Sequence, residues 1–345
     1  MGGTKKILLI LTGGTICSFA TEQGEQASDT KKAQALIIQN FRAGDSRYRG
    51  EECVEFTSRF PLDTLSENMT VAHWNTLLRE MKSYDFSKYD GVIILHGTDT
   101  LAYTSAMLSI MLSGTPIPVI LVSSQLAIYE REANGNANFK AAVELIVNGI
   151  QPNIYAVYRN EESSGEKVIY LHYAAHLLQC ANRSNNFYSS DMIPVSQENA
   201  MLEGRKSTTE DMPVYGFSEL SPCVLKIEPY VGLDYSRISL DGVAAVIHGT
   251  YHSCTVAVDT PAEYSIMSLK ERCDAHTPKI PLFIEPCERA VYETTGEAIR
   301  SGILPIEGLT SEMAYVKTLI GCSIGLEGEK LYDYINTDVN REHLN

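Results

Sequence analysis

The sequence has little positive charge and no long hydrophobic run. It carries 28 lysine and arginine residues against 43 aspartate and glutamate residues, a formal net charge of -15 at pH 7. Nucleic acids and anionic membranes bind basic faces that displace counterions, so this charge argues against both as partners. No apolar segment is long enough to span a bilayer. A small polar substrate is the better expectation.

The eight cysteines include no Cys-x-x-Cys and no other close pair at zinc spacing. A disulfide framework is unusual in a chain of this length, so we expect reduced thiols in a cytoplasmic protein. Lys5 and Lys6 precede an apolar run at residues 7–11, which resembles a secretory signal. The run is too short, however, and it continues into a Gly-Gly turn without a small-residue cleavage pattern.

The pattern of apolar residues predicts a doubly wound α/β fold. Helical patterns at 73–81, 104–112 and 138–147 lie between short apolar runs that suit buried parallel strands. These runs lie at 7–11, 91–95, 117–122 and 167–173, and later at 242–247 and 280–284.

With 345 residues the chain fits two domains of ordinary size. We predict an N-terminal domain over 1–200, with a larger, parallel-type sheet flanked by helices. The polar stretch 201–221 is predicted to be a linker, and 222–345 a smaller C-terminal α/β domain.

Two threonines follow apolar runs at the position where an open α/β sheet forms its ligand crevice. Thr15 ends Thr-Gly-Gly-Thr, and Thr98 lies in His-Gly-Thr-Asp-Thr. A threonine hydroxyl needs a base or a shifted environment to act as a nucleophile, plus donors for the developing oxyanion. Gly14 and Gly97 allow close approach of the backbone to a ligand, and Asp99 can either anchor the ammonium group of an amino-acid substrate or orient a proton carrier. The segments predict paired hydroxyl chemistry, although a tight turn with a threonine cap explains the first motif equally well.

Together the two motifs resemble the bacterial-type L-asparaginase family. The resemblance extends to Leu-Ser-Glu-Asn-Met-Thr at 65–70 and to 118–125, and more weakly to the C-terminal domain. It implies a two-domain α/β enzyme that hydrolyses the side-chain amide of asparagine to aspartate and ammonia. It also implies a homodimer or homotetramer, and no metal or organic cofactor is expected.

The resemblance also implies a role for each matching residue. Thr15 would be the nucleophile that forms the acyl-enzyme, Thr98 the second threonine, and Asp99 the ammonium anchor. The residues expected to bind substrate are Ser66 and Glu67 for the α-groups, Ser124 for the side-chain amide, and Gly14 and Gly97 through their backbone.

Two positions depart from the family pattern. Asn186 stands where the family has a lysine that hydrogen-bonds the second threonine, and an amide can supply neither a cation nor a base. Arg183 nearby can supply charge but not a base. Glu25 stands in the lid where the family often has a tyrosine. It is either a base or a solvated lid charge, and Tyr48 is an alternative lid residue.

In the C-terminal domain, His252 and Glu312 lie in segments that resemble those by which the family reaches the neighbouring subunit's site. His252 is either a proton carrier or a loop histidine, and Glu312 is either a cross-subunit residue or a partner of the helix dipole.

Three alternatives to asparagine hydrolysis stay open. The chain could bind an amino acid as a weak or inactive homologue, which the asparagine at position 186 favours. It could instead hydrolyse glutamine, a D-amino acid or a larger amide. A transfer-RNA amidotransferase subunit shares the motifs, but the early position of Thr15 leaves no room for an additional N-terminal module and the acidic charge does not favour RNA.

Overall fold

The computed structural model describes residues 3–197, 219–287 and 292–344. The chain divides into two compact units, Met1–Tyr215 and Gly216–Asn345, which we call unit 1 and unit 2. The predicted two-domain α/β fold is confirmed. Most of the predicted linker lies outside the described residues, so the linker and the domain limits at 200 and 222 stay predictions.

Unit 1 contains eleven described strands and four described α-helices. The strands are β1 (Lys5–Leu11), β2 (Ser18–Ala20), β3 (Gln26–Ser28), β4 (Val54–Arg59), β5 (Gly91–Leu95), β6 (Val119–Val122), β7 (Ile154–Glu161), β8 (Lys167–Tyr173), β9 (Leu177–Leu178), β10 (Tyr188–Ser189) and β11 (Ile193–Pro194). The helices are α1 (Thr30–Ala43), α2 (Val71–Ser83), α3 (Leu101–Met111) and α4 (Gly135–Val147).

The main sheet of unit 1 has the strand order β11-β8-β7-β6-β5-β1-β4. Its five parallel strands run β4, β1, β5, β6, β7, which is the 2-1-3-4-5 order of a doubly wound fold. In this topology the chain reverses direction across the sheet between β1 and β5, and ligands bind outside the carboxyl ends of these strands. Both strands are buried on their two faces, as their apolar sequences predict.

The prediction of a parallel strand at 167–173 is wrong. The strand β8 exists, but it pairs antiparallel with β7 and with β11. It lies toward the edge of the sheet, and most of its residues are only partly buried. The local sequence of β8 predicts an extended conformation but not the direction of the strand. That direction depends on the short connection between β7 and β8.

The three predicted helices are present, and capping explains where α2 begins. The hydroxyl of Thr70 caps α2, and the His73 side chain in turn accepts from the Thr70 backbone N–H, so the helix begins earlier than its apolar pattern. Helix α1 was not predicted. Asp29 caps it, and Ile37 and Phe41 on its inner face pack into the core that lies against the sheet.

Unit 2 contains a four-stranded parallel sheet in the order β12-β13-β14-β15. Its strands are β12 (Val224–Ile227), β13 (Ala245–Gly249), β14 (Leu282–Glu285) and β15 (Leu304–Pro305). Its described helices are α5 (Ile266–Ala275), α6 (Glu293–Arg300), α7 (Ser311–Ser323) and α8 (Gly328–Asn336). No helix in the described part of the chain combines the length and apolarity needed to cross a bilayer.

A buried carboxyl group ends the third strand of this sheet. Glu285 is 1% exposed, its Oε1 accepts from Ser311 Oγ at 2.7 Å, and Lys226 Nζ lies 3.8 Å away. Burial raises the pKa of Glu285 to about 7. The folded protein therefore keeps a proton on Glu285 at pH values where the unfolded chain has lost it.

Glu285→Gln is expected to stabilise the protein at pH 8 but hardly at pH 5. Between the ordinary pKa of 4.5 and the raised value of about 7, ionisation favours the unfolded chain, so the wild type loses stability as pH rises. The gain from the amide should reach roughly 3 kcal/mol at pH 8 and stay under about 1 kcal/mol at pH 5. Urea unfolding of both proteins at the two pH values measures this gain, and an equal gain at both would contradict the raised pKa.

Candidate active site

The two threonine turns of the sequence touch each other at the switch point of the sheet. Leu11 at the end of β1 is in register with Leu95 at the end of β5. Beyond these strands, a Cβ atom on Gly14 would lie 2.2 Å from the Cα of Gly97. Gly14 also has a φ of +83°, which L side chains rarely adopt. The contact between the turns therefore requires glycine at position 14.

A third loop, after β4, is fastened to the same place. Gly14 N donates to Thr64 O at 2.8 Å, and Thr64 N donates to Thr12 O at 3.2 Å. A Cβ on Gly97 would lie 2.4 Å from Ser66 Oγ. The segments that carry Thr15, Ser66 and Thr98 therefore meet, as the resemblance implied.

Ser66 lies behind Asp99 and orients it. The Ser66 hydroxyl is buried, donates to Asp99 Oδ2 at 3.0 Å and accepts from Asp99 N at 3.1 Å. Thr100 Oγ1 donates to Ser66 O at 3.0 Å and adds a third link between the two loops. Asp99 itself is exposed, as is Glu67 next to Ser66. The loop thus presents the Asp99 carboxylate to solvent in a fixed orientation, while direct contact of Ser66 with a substrate stays a prediction.

Thr15 and Thr98 are both half-buried at the rim of the sheet. Thr15 is the first residue of a single 3₁₀ turn, Thr15–Cys17. Among the described residues, no hydrogen bond engages the Thr15 hydroxyl or the backbone N–H of Thr15 or Thr98. The Thr15 hydroxyl and the two backbone N–H groups are therefore available to a ligand, and these are the kinds of group that acyl transfer needs.

A cavity of about 210 Å³ adjoins Thr98 and Asp99. Its opposite wall is the loop at 179–187, where Gln179 Nε2 donates to Thr98 O at 2.9 Å and Gln179 Oε1 accepts from Ala102 N at 3.4 Å. Gln179 thereby links the Thr98 turn to the first turn of α3. Gln179 was not predicted from the sequence, because its contact with Thr98 bridges 81 positions of the chain.

Gln179→Ala is expected to lower kcat about tenfold while leaving KM within about twofold. A tenfold loss corresponds to about 1.4 kcal/mol, which is within the contribution of one hydrogen bond that positions the second threonine. Gln179→Glu keeps the acceptor for Ala102 but loses the donor to Thr98, so it should be impaired as much. Steady-state kinetics of both variants test this role. A fall in thermal stability with unchanged kcat would show that Gln179 serves the fold alone.

Asn186 fastens its loop to the sheet instead of facing Thr98. Its Oδ1 accepts from Glu161 N at 3.0 Å and its Nδ2 donates to Glu161 O at 2.8 Å. Asn160 makes the reciprocal pair with the backbone of Phe187, at 2.8 and 3.0 Å. Thr98 lines the cavity of about 210 Å³ and Asn186 an adjoining one of about 400 Å³, and Gln125, Ser184 and Asn185 line both. The amide at position 186 thus has a structural role, and Arg183 lines the cavity with Thr98.

Ser124 lies in the loop after β6, but its hydroxyl points into the protein. It donates to Leu126 O at 2.6 Å and accepts from Gly135 N at 3.0 Å, so it holds this loop to the start of α4. Its neighbour Gln125 lines the cavity beside Thr98. Because the Ser124 hydroxyl is bonded within the protein in this arrangement, its expected contact with a side-chain amide stays a prediction.

The segment after Thr15 forms a hairpin of β2 and β3. Phe19 stacks on Tyr129 with ring centroids 5.6 Å apart, and Gln26 Nε2 donates to Tyr129 OH at 3.2 Å. Glu25 lies at the exposed end of the hairpin. Tyr48 lies away from this hairpin. Its hydroxyl donates to Asn148 at the C-terminal end of α4, on the edge of the parallel sheet opposite the threonine turns. Of the sequence candidates for the lid, Glu25 is on the hairpin and Tyr48 is not.

His96 and His248 have the same local geometry in the two units. Each ring is buried at the end of a strand, and each Nδ1 is hydrogen-bonded to the carbonyl of the following glycine, Gly97 or Gly249. Burial lowers the pKa of both histidines to about 4. Both rings are neutral at pH 7, which excludes them as cations there.

In unit 2, His252 is exposed, and Ser253 Oγ lies 2.7 Å from its Nδ1. Glu312 is 7% exposed in the first turn of α7, near Glu285, whose pKa it helps to raise. The structure thus buries Glu312 inside its own unit, and the cross-subunit roles of both residues stay predictions. Within the described ranges, no group of three or more His, Cys, Asp or Glu side chains is arranged to hold a metal ion.

A doubly wound sheet that presents two threonine turns and an oriented carboxylate at its switch point is the kind of site that a hydrolase with a hydroxyl nucleophile needs. The chain belongs to the asparaginase family, because residues 6–199 match the family described as Asparaginase, N-terminal.

Two relatives and one solved structure, all from Thermococcus kodakarensis, illustrate the similarity. An L-asparaginase is 29% identical over 320 residues, which cover 91% of this chain and 92% of the relative. A subunit of a glutamyl-tRNA(Gln) amidotransferase is 25% identical over 334 residues, covering 91% of this chain and 71% of the relative. The solved structure of the thermostable L-asparaginase has the same fold, with a TM-score of 0.74, 22% identity and 99% coverage of both chains.

Proposed function

We propose that the protein hydrolyses the side-chain amide of L-asparagine to L-aspartate and ammonia, with Thr15 as the nucleophile. The observation that carries this proposal is the contact between Gly14 and Gly97, which brings the Thr15 turn, the Thr98 turn and Asp99 to one crevice. Membership of the asparaginase family supports the reaction class. The chain would act without a metal or organic cofactor.

The substrate would be oriented by its charged α-groups. Asp99 is exposed and oriented by Ser66, so its carboxylate suits the α-ammonium group. Glu67, which directly follows Ser66 and is exposed, would also help to bind the α-groups. The amide carbonyl would then lie against the backbone N–H groups of Thr15 and Thr98, which bind the oxyanion as it develops.

The reaction would proceed in two steps. Thr15 Oγ1 attacks the amide carbon, the C–N bond breaks, and the hydroxyl proton of Thr15 leaves with the nitrogen as ammonia. Water then attacks the resulting ester, returning a proton to Thr15 and releasing the aspartate carboxyl group. Gln179 would keep Thr98 in place for this reaction, because the Gln179 side chain holds the backbone carbonyl of Thr98.

The similarity to an amidotransferase subunit supports a second candidate, in which the chain supplies ammonia from an amide to a partner. Ammonia release by the isolated chain from L-asparagine, D-asparagine, L-glutamine and a β-aspartyl amide separates the two. The proposal predicts the highest kcat/KM for L-asparagine without any partner. Binding of asparagine by calorimetry with no ammonia released would instead indicate an amino-acid-binding homologue. A preference for L-glutamine would support the second candidate.

A further inference from the structure

Two cysteines of unit 2 that the proposed reaction does not use are in contact. Cys223 directly precedes β12, and Cys322 lies in the last turn of α7. Their thiol groups lie close enough for each to shift the pKa of the other. Beside them, Ser221 N donates to Ser323 Oγ at 2.9 Å, which ties the same two segments together a second time. The two thiols therefore come from distant parts of the chain but lie side by side.

Small molecules can reach this pair. Both residues are partly exposed, whereas Cys17, Cys273 and Cys287 are buried. Cys322 also lines a cavity of about 420 Å³ between β13, α5 and α8, whose wall is mainly apolar. An uncharged oxidant of a few atoms fits such a cavity, which leads to Cys322, while Cys223 beside it is partly exposed.

The contact also activates one thiol. The neighbouring Cys322 thiol stabilises the thiolate form and lowers the pKa of Cys223 to about 7. A thiolate, not a thiol, is the nucleophile in thiol oxidation. Burial, by contrast, raises the pKa of Cys17 and Cys273, which makes these thiols poor nucleophiles.

We propose that Cys223 and Cys322 form an oxidation-sensitive dithiol that hydrogen peroxide converts into an intramolecular disulfide. The Cys223 thiolate attacks one peroxide oxygen, the O–O bond breaks, and hydroxide leaves and is protonated to water. The sulfur is now a sulfenic acid. Cys322 attacks this sulfur, the S–O bond breaks, and a second water leaves as the disulfide forms. Two electrons pass from the two sulfur atoms to the peroxide.

This disulfide would fasten the beginning of the unit 2 sheet to the end of α7. The two cysteines are about 100 residues apart, and a cross-link that closes so long a loop restricts the unfolded chain strongly. Oxidation is therefore expected to raise the thermal unfolding temperature of the protein by about 5 °C or more, and reduction should reverse the rise.

The test uses the full chain, reduced, freed of reductant and treated with an equimolar amount of hydrogen peroxide. Non-reducing peptide mapping should then give a cross-linked pair of peptides that contain Cys223 and Cys322, and dithiothreitol should release them. Cys223→Ser and Cys322→Ser should each lose the cross-link and the thermal shift. Cys53→Ser is the matched control, since Cys53 is partly exposed but lies in unit 1, and it should keep both.

The wild-type peptide map decides the proposal even if a serine variant folds poorly. Free thiols at both positions after treatment would overturn it. So would separate sulfinic acids at the two positions, or a cross-link of either cysteine to another one.

Discussion

Thr15→Ala is expected to lower kcat for asparagine hydrolysis by at least about 10⁴-fold, with little change in fold. Removing the nucleophile of a covalent mechanism costs a factor of this order, because only binding and oxyanion stabilisation remain. The Thr15 side chain is half-buried at the rim of the sheet, and no described residue depends on its hydroxyl for a hydrogen bond. Ammonia release under saturating L-asparagine, together with urea unfolding, measures both effects.

Two matched variants separate the hydroxyl group from the shape of the side chain. Thr15→Ser keeps the hydroxyl and should retain a measurable part of the activity. Thr15→Val keeps the branched shape and should be as inactive as Thr15→Ala. An alanine variant within tenfold of the wild type would mean that another group attacks the amide.

Gly14→Ala is expected to destabilise the folded protein by about 3 kcal/mol or more and to remove the activity. The new Cβ would lie 2.2 Å from Gly97 Cα and 2.4 Å from Gly97 N, so two backbone segments would have to move apart. The φ of +83° adds a strain of its own for a residue other than glycine. The midpoint of urea unfolding and the specific activity give the two effects.

Gly24→Ala is the control for backbone strain alone. Gly24 has a φ of +86°, but a Cβ there would meet no atom within 4 Å. Its substitution should cost only about 1 kcal/mol and leave the activity largely intact. If Gly14→Ala were no worse than Gly24→Ala, the contact between the two turns would not be what organises the site.

Much of the fold follows from local sequence because the relevant elements are buried on both sides. The runs that form β1 and β5 are apolar throughout and end in glycine turns, so their conformation and their position beside a crevice were both predictable. β4 was not predicted. It mixes buried and exposed residues over Val54–Arg59 and resembles a polar loop until its pairing with β1 is known. The direction of β8 depends on pairing in the same way.

The candidate site, like the fold, was predictable where local sequence determines it and not where contacts between distant residues do. The motifs around Thr15, Ser66 and Thr98 are contiguous in sequence, and their residue types alone predicted hydroxyl chemistry with a carboxylate. The roles of Gln179 and Asn186 depend on contacts across 81 and 25 positions, which no local pattern encodes. The orientation of Ser124 could not be predicted for the same reason, because its hydroxyl accepts a hydrogen bond from the backbone N–H of Gly135 at the start of α4.

The central claim is that Thr15 carries the acyl group, and trapping of that intermediate tests it most directly. Protein mixed with L-asparagine is quenched in acid within the first turnover, digested and analysed by mass spectrometry. The account predicts an aspartyl ester on the peptide that contains Thr15, which disappears in Thr15→Ala. An ester on Thr98 or on any other residue, with Thr15 unmodified, would contradict it.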